Sequence, residues 1–356
     1  MEIFGLYYIC ICTCFTQLIW TSLWLLPFVH SANRFNRPQN DVADWQLPQT
    51  TDYCRSHNWF TPRQRKLCEL HPSLLPSVME GAMEAIKECR YQFKNHRWNC
   101  PVSNVTAVFG NSKLHTKNKE IAFLQAITSA GVTFTVTRAC GSGEIVECGC
   151  DNRIDTDLEE EEGTEWEWGG CSDDIRFGMY FSRDFVDASE DGKNAASKMT
   201  LKNYEAGRKA IEQSMEVKCK CHGVSGSCTS KVCWNSMTKF RLVGEQIYSK
   251  YQQAYHMRYS KKRGVLRPIQ ERNRKPGAGD LVYLRAGPDY CEPNSRHGSL
   301  GTHGRFCTDN CDEMCCGRGY QTLERRVTES CNCRFHWCCE VECETCNTVR
   351  ELRVCN

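Results

Sequence analysis

The chain has 356 residues, 25% of them charged, with a formal net charge of +2. A balance this close to neutral gives no bulk electrostatic basis for a nucleic-acid partner. Its 27 cysteines exclude an ordinary reduced cytosolic chain and leave a disulfide framework or metal sites.

From Ile3 to Val29 there is no charged residue, and the run ends at Val29-His30-Ser31-Ala32. An apolar segment followed by small residues reads as a secretory signal over residues 1–31. The run is long enough to span a bilayer, so a retained signal-anchor is the structural alternative. Cys10, Cys12 and Cys14 lie inside it, and the remaining 24 cysteines are an even number, as full pairing requires. Asn104-Val-Thr106 is an N-glycosylation acceptor in such a secreted chain. About 325 residues remain after the signal, which at roughly 150 per domain suggests two domains.

The first region reads as helical. Leu75, Val78, Ala82, Ile86, Cys89 and Phe93 form an amphipathic stripe, with Pro76 suited to its first turn. Ile121 to Ala130 reads as a buried helix, while Val132-Thr-Phe-Thr-Val136 alternates like a strand. Leu201, Tyr204, Arg208, Ile211 and Met215 make a helix that runs into Cys219, and Phe240, Val243, Ile247, Tyr251 and Ala254 make another after Cys233. All of these stripes are read as core packing. Between Cys150 and Cys171, the acidic stretch from Asp155 to Glu162 lacks the alternating ligand spacing of a calcium loop and reads as a solvated loop.

Between the last two helices lies Cys219-Lys-Cys-His-Gly-Val-Ser-Gly-Ser-Cys228, closed by Cys233-Trp234. If outer and inner pairs are both oxidised, this is a doubly stapled hairpin with a small, rigid tip over residues 222–227. Arg258 to Lys275 then holds eight Lys or Arg and one acid, Glu271. It reads as an interdomain linker, with three readings open: a plain flexible basic loop, a surface for sulfated glycosaminoglycan, or a proteolytic site. Twelve cysteines fall between Cys291 and Cys355, a region too short and polar for a large core, which must be stapled. Adjacent Cys338 and Cys339, beside Phe335 and Trp337, mark an apolar hairpin tip, a contact surface by default. The fold class is therefore α+β and disulfide-rich: signal 1–31, helical domain 32–257 carrying the hairpin, basic linker 258–280, and a small cysteine-rich β-hairpin domain 281–356.

Three chemistries suit these residues. Cys343-x2-Cys346 and Cys311-x3-Cys315 have zinc-ligand spacing, but thiols oxidise in the secretory pathway, so no metal is expected. Gly223-Val-Ser225 begins like a nucleophile elbow, yet Ser227 stands where the motif needs glycine, and no βαβ pattern surrounds it. Catalysis is therefore not expected, and the catalytic set is empty. A hydroxyl on an exposed, preorganised loop is instead a good acceptor for covalent modification, at Ser225 or Ser227.

The chain resembles the Wnt family of secreted signalling ligands. The resemblance rests on the hairpin motif above and on Glu88-Cys-Arg-Tyr-Gln-Phe93 with Arg97-Trp-Asn-Cys100, then Thr137-Arg-Ala-Cys140, Cys148-Gly-Cys150 and Trp168-Gly-Gly-Cys171-Ser-Asp173. Asp289-Tyr-Cys291, Cys315-Cys-Gly-Arg-Gly319 and Phe335-His-Trp-Cys-Cys339 follow in order, so the match runs from residue 54 to 355. The family implies pairing of Cys89 with Cys100, Cys140 with Cys148, Cys150 with Cys171, Cys219 with Cys233 and Cys221 with Cys228. It further implies Cys291 with Cys316, Cys307 with Cys311, Cys315 with Cys355, Cys331 with Cys346, Cys333 with Cys343 and Cys338 with Cys339, which leaves Cys54 with Cys68. Ser225 matches the position that carries a palmitoleoyl ester, attached by the acyltransferase Porcupine. Wntless would carry the acylated chain outward. Thumb residues His222, Gly223 and Val224, and finger residues Phe335, Trp337, Cys338 and Cys339, would grasp the cysteine-rich domain of Frizzled. A low-density-lipoprotein-receptor-related co-receptor and heparan sulfate are further implied partners. No cofactor is expected beyond the ester and a glycan on Asn104, and the location is the extracellular space and matrix.

Two departures stand out. The loop from Cys150 to Cys171 is longer and more acidic than usual for the family, and Cys307 to Cys311 encloses only Thr-Asp-Asn. The alternative from another class is a non-acylated, disulfide-rich matrix or glycosaminoglycan-binding protein resting on the basic segment.

Overall fold

The computed structural model describes residues 54–55, 59–109, 116–153, 165–228, 230–270, 275–295, 297–308, 310–337 and 339–356. The expected signal with Cys10, Cys12 and Cys14, the acidic stretch of the 155–167 loop as far as residue 164, and Cys338 lie outside the described residues. Among the described residues, no helix is long and apolar enough to cross a membrane.

Helix α1 (Pro62–Leu70) starts where Thr61 and Gln64 cap each other. The Gln64 amide donates to Thr61 Oγ1, and Gln64 Oε1 accepts from the Thr61 amide at 3.1 Å. Helix α2 (Leu75–Gln92) carries the predicted stripe, with Pro76 in its first turn. Short α3 (Thr106–Phe109) precedes α4 (Lys119–Gly141), which packs against α2 and against α5 (Ile175–Val186), α6 (Ala195–Glu212) and α7 (Phe240–Gln252). Helix α4 is buried nearly all round, so it shows no polar stripe.

The strand-like alternation over 132–136 is therefore a correction: those residues are the middle of α4. Burial overrides the β-preference of its Val and Thr residues, and local hydrogen bonds hold the threonines. Thr133 Oγ1 donates to the Ser129 carbonyl at 2.8 Å, and Thr135 Oγ1 donates to the Ser77 and Gly131 carbonyls at 2.6 and 3.0 Å.

The helices approach closely at glycines. A Cβ on Gly131 would lie 2.2 Å from the Gly81 carbonyl oxygen, and one on Gly207 would lie 1.9 Å from that of Ala126. Both obstacles are backbone, so neither can rotate away. Gly207→Ala is expected to separate α4 from α6 and to destabilise the fold by about 1–3 kcal/mol. Chemical denaturation of the purified protein checks it; an unshifted midpoint would remove the close-approach argument.

Three three-stranded sheets and one two-stranded sheet complete the described residues. Strands β2 (Met215–Cys221) and β3 (Ser230–Met237) form an antiparallel hairpin, and β1 (Glu165–Trp168) joins β3 in parallel. Strand β4 (Tyr255–Ser260) pairs with β5 (Val265–Pro268) and with β6 (Val282–Tyr283), so the expected linker carries a hairpin. After a two-residue pair, β7 (Pro293–Asn294) and β8 (Ser299–Leu300), and the brief β9 (Phe306–Cys307), helix α8 (Cys311–Met314) leads into a long hairpin of β10 (Tyr320–His336) and β11 (Glu340–Cys355). Leu281 and Tyr290 are buried in the same cluster as Phe123, Ile127 and Ile211 of the bundle. The architecture is α+β and disulfide-rich, as the sequence leads one to expect.

Candidate functional site

Two stapled tips hold the residues singled out in the sequence. The first is the β2–β3 hairpin. Cys219 stands directly opposite Cys233 in the register, and the two are bonded. Cys221 and Cys228 are bonded nearer the tip. Between them the His222 amide donates to the Ser230 carbonyl at 2.7 Å, and the Ser227 amide closes one 3-10 turn on the Val224 carbonyl at 3.2 Å. The loop is thus pinned by two covalent bonds and by its own backbone.

Ser225 sits inside that turn at φ 58° and ψ 27°, the left-handed region. This conformation disfavours a residue with a Cβ by roughly 1–2 kcal/mol. It persists only where the surroundings over-determine it, which the two disulfides do here. Ser225, Ser227 and His222 are exposed, and Val224 is 90% exposed. Among the described residues, nothing at this tip is packed as core, and no acid contacts His222 or Ser225 to assemble a catalytic base. What the geometry offers is a hydroxyl and a valine held outward on a rigid support.

The base of this hairpin is braced by residues that spacing alone does not single out. The Ser172 hydroxyl accepts from the Asn235 amide at 3.1 Å, and Asp173 Oδ2 accepts from the Met237 amide at 2.8 Å. The Gly169 amide donates to the Cys233 carbonyl at 3.0 Å. Side chains and backbone of 169–173 therefore occupy the free edge of β3, which would otherwise present unpaired amides. The signal is the Trp168-Gly-Gly-Cys171-Ser-Asp173 stretch. Its use as an edge brace depends on β1, a strand that the sequence alone does not suggest.

The second tip ends the β10–β11 hairpin. A two-stranded ribbon of this length has little core of its own, and it is held by Cys331 bonded to Cys346 and Cys333 bonded to Cys343. The register shifts between Cys331 and Arg334, with Asn332 left-handed at φ 47°, so a bulge re-aims the strand just before the tip. Beyond it, Phe335 faces Val341 across the strands; Phe335 is 68% and Trp337 94% exposed. His336 Nε2 lies 3.3 Å from Glu342 Oε2. The expected Cys338–Cys339 pairing depends on Cys338, outside the described residues. Gly223 and Val224 thus stand on one stapled tip, and Phe335, Trp337 and Cys339 on the other.

The remaining described disulfides are Cys54–Cys68, Cys89–Cys100, Cys140–Cys148, Cys150–Cys171, Cys291–Cys316, Cys307–Cys311 and Cys315–Cys355. The sulfurs with zinc-like spacing, Cys311, Cys315, Cys343 and Cys346, are all in disulfide bonds. Cys307, Cys315 and Cys355 cluster closely, but as two disulfides in contact, with 3.9 Å between the Cys315 and Cys307 sulfurs. Asn104 is exposed, and its Oδ1 accepts from the Thr106 hydroxyl at 2.8 Å and from the Ala107 amide at 3.1 Å.

Comparison with known proteins follows the same span. Residues 56–356 match the family model described as the wnt family. The chain is 44% identical over 315 residues to Protein Wnt-3a of Mus musculus, covering 85% of this chain and 88% of that protein. It is 44% identical over 316 residues to Protein Wnt-5b of Xenopus laevis, covering 85% and 86%. A chain of the solved structure of human WLS in complex with WNT8A matches at 38% identity and a TM-score of 0.59, covering 79% of this chain and 93% of that one.

Proposed function

The chain belongs to the Wnt family, and from that premise we propose that it is a secreted, lipid-carrying ligand of Frizzled receptors. A Wnt-family protein is a signalling ligand and not an enzyme. The proposal divides the chain as the sequence does, with the thumb on 32–257, the basic segment 258–280 between, and the finger on 281–356.

The observation that carries the reading is Ser225: an exposed hydroxyl held in a left-handed turn by two disulfides, beside an exposed valine. Porcupine would esterify it with palmitoleate in the endoplasmic reticulum. Wntless would then shield the acyl chain on the way out, and the solved complex of WLS with WNT8A supports this step for a relative. At the receptor, the ester would enter an apolar groove of the Frizzled cysteine-rich domain, with His222, Gly223 and Val224 at its mouth. Phe335, Trp337, Cys338 and Cys339 would contact the same domain from the finger. A low-density-lipoprotein-receptor-related co-receptor would complete the complex, and Asn104 would carry an N-glycan. The protein would act in the extracellular space and matrix, where the exposed cations Arg258, Lys261, Lys262, Arg263, Arg267 and Lys275 would retain it on heparan sulfate. Replacing Ser225 by alanine and reading the lipid by mass spectrometry tests the assignment.

The finger is tested separately. An aromatic side chain that is 94% exposed gains its full burial only against a partner. Trp337→Ala is therefore expected to weaken binding to the isolated Frizzled cysteine-rich domain by about 30-fold, equivalent to about 2 kcal/mol, while secretion persists. An unchanged dissociation constant would take the finger out of the contact.

A further inference from the structure

The basic segment has a feature that receptor binding does not use. Its cations Lys261, Lys262 and Arg263 form the turn between β4 and β5, and all three are exposed. The Arg263 and Gly264 amides close the turn on the Ser260 carbonyl at 3.2 and 2.8 Å. Gly264 is left-handed at φ 63°, and a Cβ built there would meet only the Tyr259 hydroxyl, at 3.9 Å. Three other adjacent basic pairs lie wholly within the described residues. Arg65-Lys66 is inside α1, Arg208-Lys209 inside α6 with Arg208 buried, and Arg325-Arg326 inside β10. The run at 261–263 is thus the described basic cluster that a loop presents to solvent.

The disulfides divide on either side of it. Of the eleven described, six close among cysteines from Cys54 to Cys233 and five among cysteines from Cys291 to Cys355. None crosses from one set to the other. The backbone between Cys233 and Cys291 is therefore the covalent connection between the thumb and the finger among the described residues.

We propose that the turn is a processing site, cut between Arg263 and Gly264 by an endoprotease whose acidic subsites select paired basic residues, and that the two products remain associated without a covalent link. Water adds across the Arg263–Gly264 amide. The C–N bond breaks, the water oxygen stays on the Arg263 carbonyl carbon as a carboxylate, and the Gly264 nitrogen departs as an ammonium. Such an enzyme binds its substrate extended, so the turn must open first. Strand β5 is only four residues long, alternates between exposed and half-buried, and among the described residues pairs only with β4, with Leu266 its contact to the cluster of Met199 and Tyr255, so it is the part able to peel away. Strand β4 stays anchored on its other side by β6.

Cutting leaves a substantial interface. Asn203 exchanges two hydrogen bonds with the Val282 backbone, at 2.9 and 3.0 Å. The Tyr290 hydroxyl donates to Glu120 at 3.0 Å, and Arg305 donates to the carbonyls of Arg97 and His96 at 2.6 and 2.8 Å. Leu281 and Tyr290 remain in the core cluster. The cut is a property of the turn and stands apart from the receptor reading. Its consequence is that the two tips become separable chains held only by this interface.

The test uses the intact secreted protein and a furin-type endoprotease at limiting amount. One new N-terminus at Gly264 is expected. The fragments should separate on a denaturing gel without reductant and elute together on native size exclusion. A variant carrying Lys262→Gln and Arg263→Gln, both exposed and outside the core, should be cut at this bond at least about a hundredfold more slowly. Four results would overturn the proposal: resistance of the folded chain where a peptide of residues 256–270 is cut, a first cut at residues 272–275 or elsewhere, fragments still joined on the non-reducing denaturing gel, or separation in native buffer.

Discussion

Ser225→Ala is expected to keep the disulfide framework intact and to lose both the ester and receptor binding. The acyl chain supplies most of the affinity. Burial at about 0.8 kcal/mol per methylene gives on the order of 10 kcal/mol gross for a sixteen-carbon chain. Ordering the chain and losing its freedom on binding offset part of this, so the expected net loss is on the order of a thousandfold in affinity, about 4 kcal/mol. The fold has no reason to respond. Ser225 is exposed, and the two bonds that hold the turn, Cys219–Cys233 and Cys221–Cys228, do not involve its hydroxyl. Alanine retains the Cβ, so it meets the same left-handed backbone that serine tolerates. Intact mass and peptide mapping read the ester; titration of the Frizzled cysteine-rich domain reads the affinity. Ser227→Ala, two residues away on the same tip, is the control and should change neither. Mass spectrometry that placed the lipid on Ser227 would end the assignment, as would full receptor affinity in a Ser225→Ala protein shown to lack lipid.

Much of this geometry is open to inspection in the sequence, because its signals are local. The α2 stripe follows from spacings of three and four, and the nested order of Cys219, Cys221, Cys228 and Cys233 already suggests a stapled hairpin. The parts that are not legible depend on partners distant in the chain. Val132 to Val136 alternates like a strand because Val and Thr recur at every second position. Only packing on all sides by α2, α5, α6 and α7 reveals the stretch as helix. Gly207 and Gly131 read as weak helix residues until a neighbouring carbonyl is found where a Cβ would stand. Ser172 and Asp173 read as a loop after Cys171 until β3 supplies the amides they accept from. The left-handed backbone at Ser225 is likewise a consequence of closing the loop twice, and neighbouring glycines only permit it.

Arg208 is the most consequential position that the stripe conceals. By spacing it is one more core position between Tyr204 and Ile211, and its side chain is indeed 1% exposed. Yet it is charged, and its guanidinium makes a two-bond contact with Asp187 at 2.9 and 3.0 Å. It also donates to Glu205 at 3.0 and 3.1 Å and to the Ser129 hydroxyl of α4 at 3.4 Å. The guanidinium thus joins α6 to the end of α5 and to the middle of α4. Replacing one partner of such a buried set leaves an uncompensated charge, so Arg208→Ala is expected to destabilise the fold by about 3–5 kcal/mol. The loss should depend on pH. Burial pushes the Asp187 carboxyl above its ordinary value, with Arg208 pulling the other way. Burial also pushes the Glu205 carboxyl up, but Arg183 and Arg208 outweigh it and hold the group low. A carboxyl with a raised folded pKa contributes stability that is full below its unfolded value and is lost as pH rises through the folded one. Removing the guanidinium raises Asp187 further, so the deficit of the variant should be greatest near neutrality and shrink as acid neutralises the orphaned carboxylate. Denaturation midpoints of both proteins between pH 7 and pH 4 measure this, and a deficit that is absent at pH 7 or grows toward acid would show that Arg208 does not act as the counter-charge. Arg208→Lys keeps the charge but not the two-bond geometry, and should recover only part of the loss.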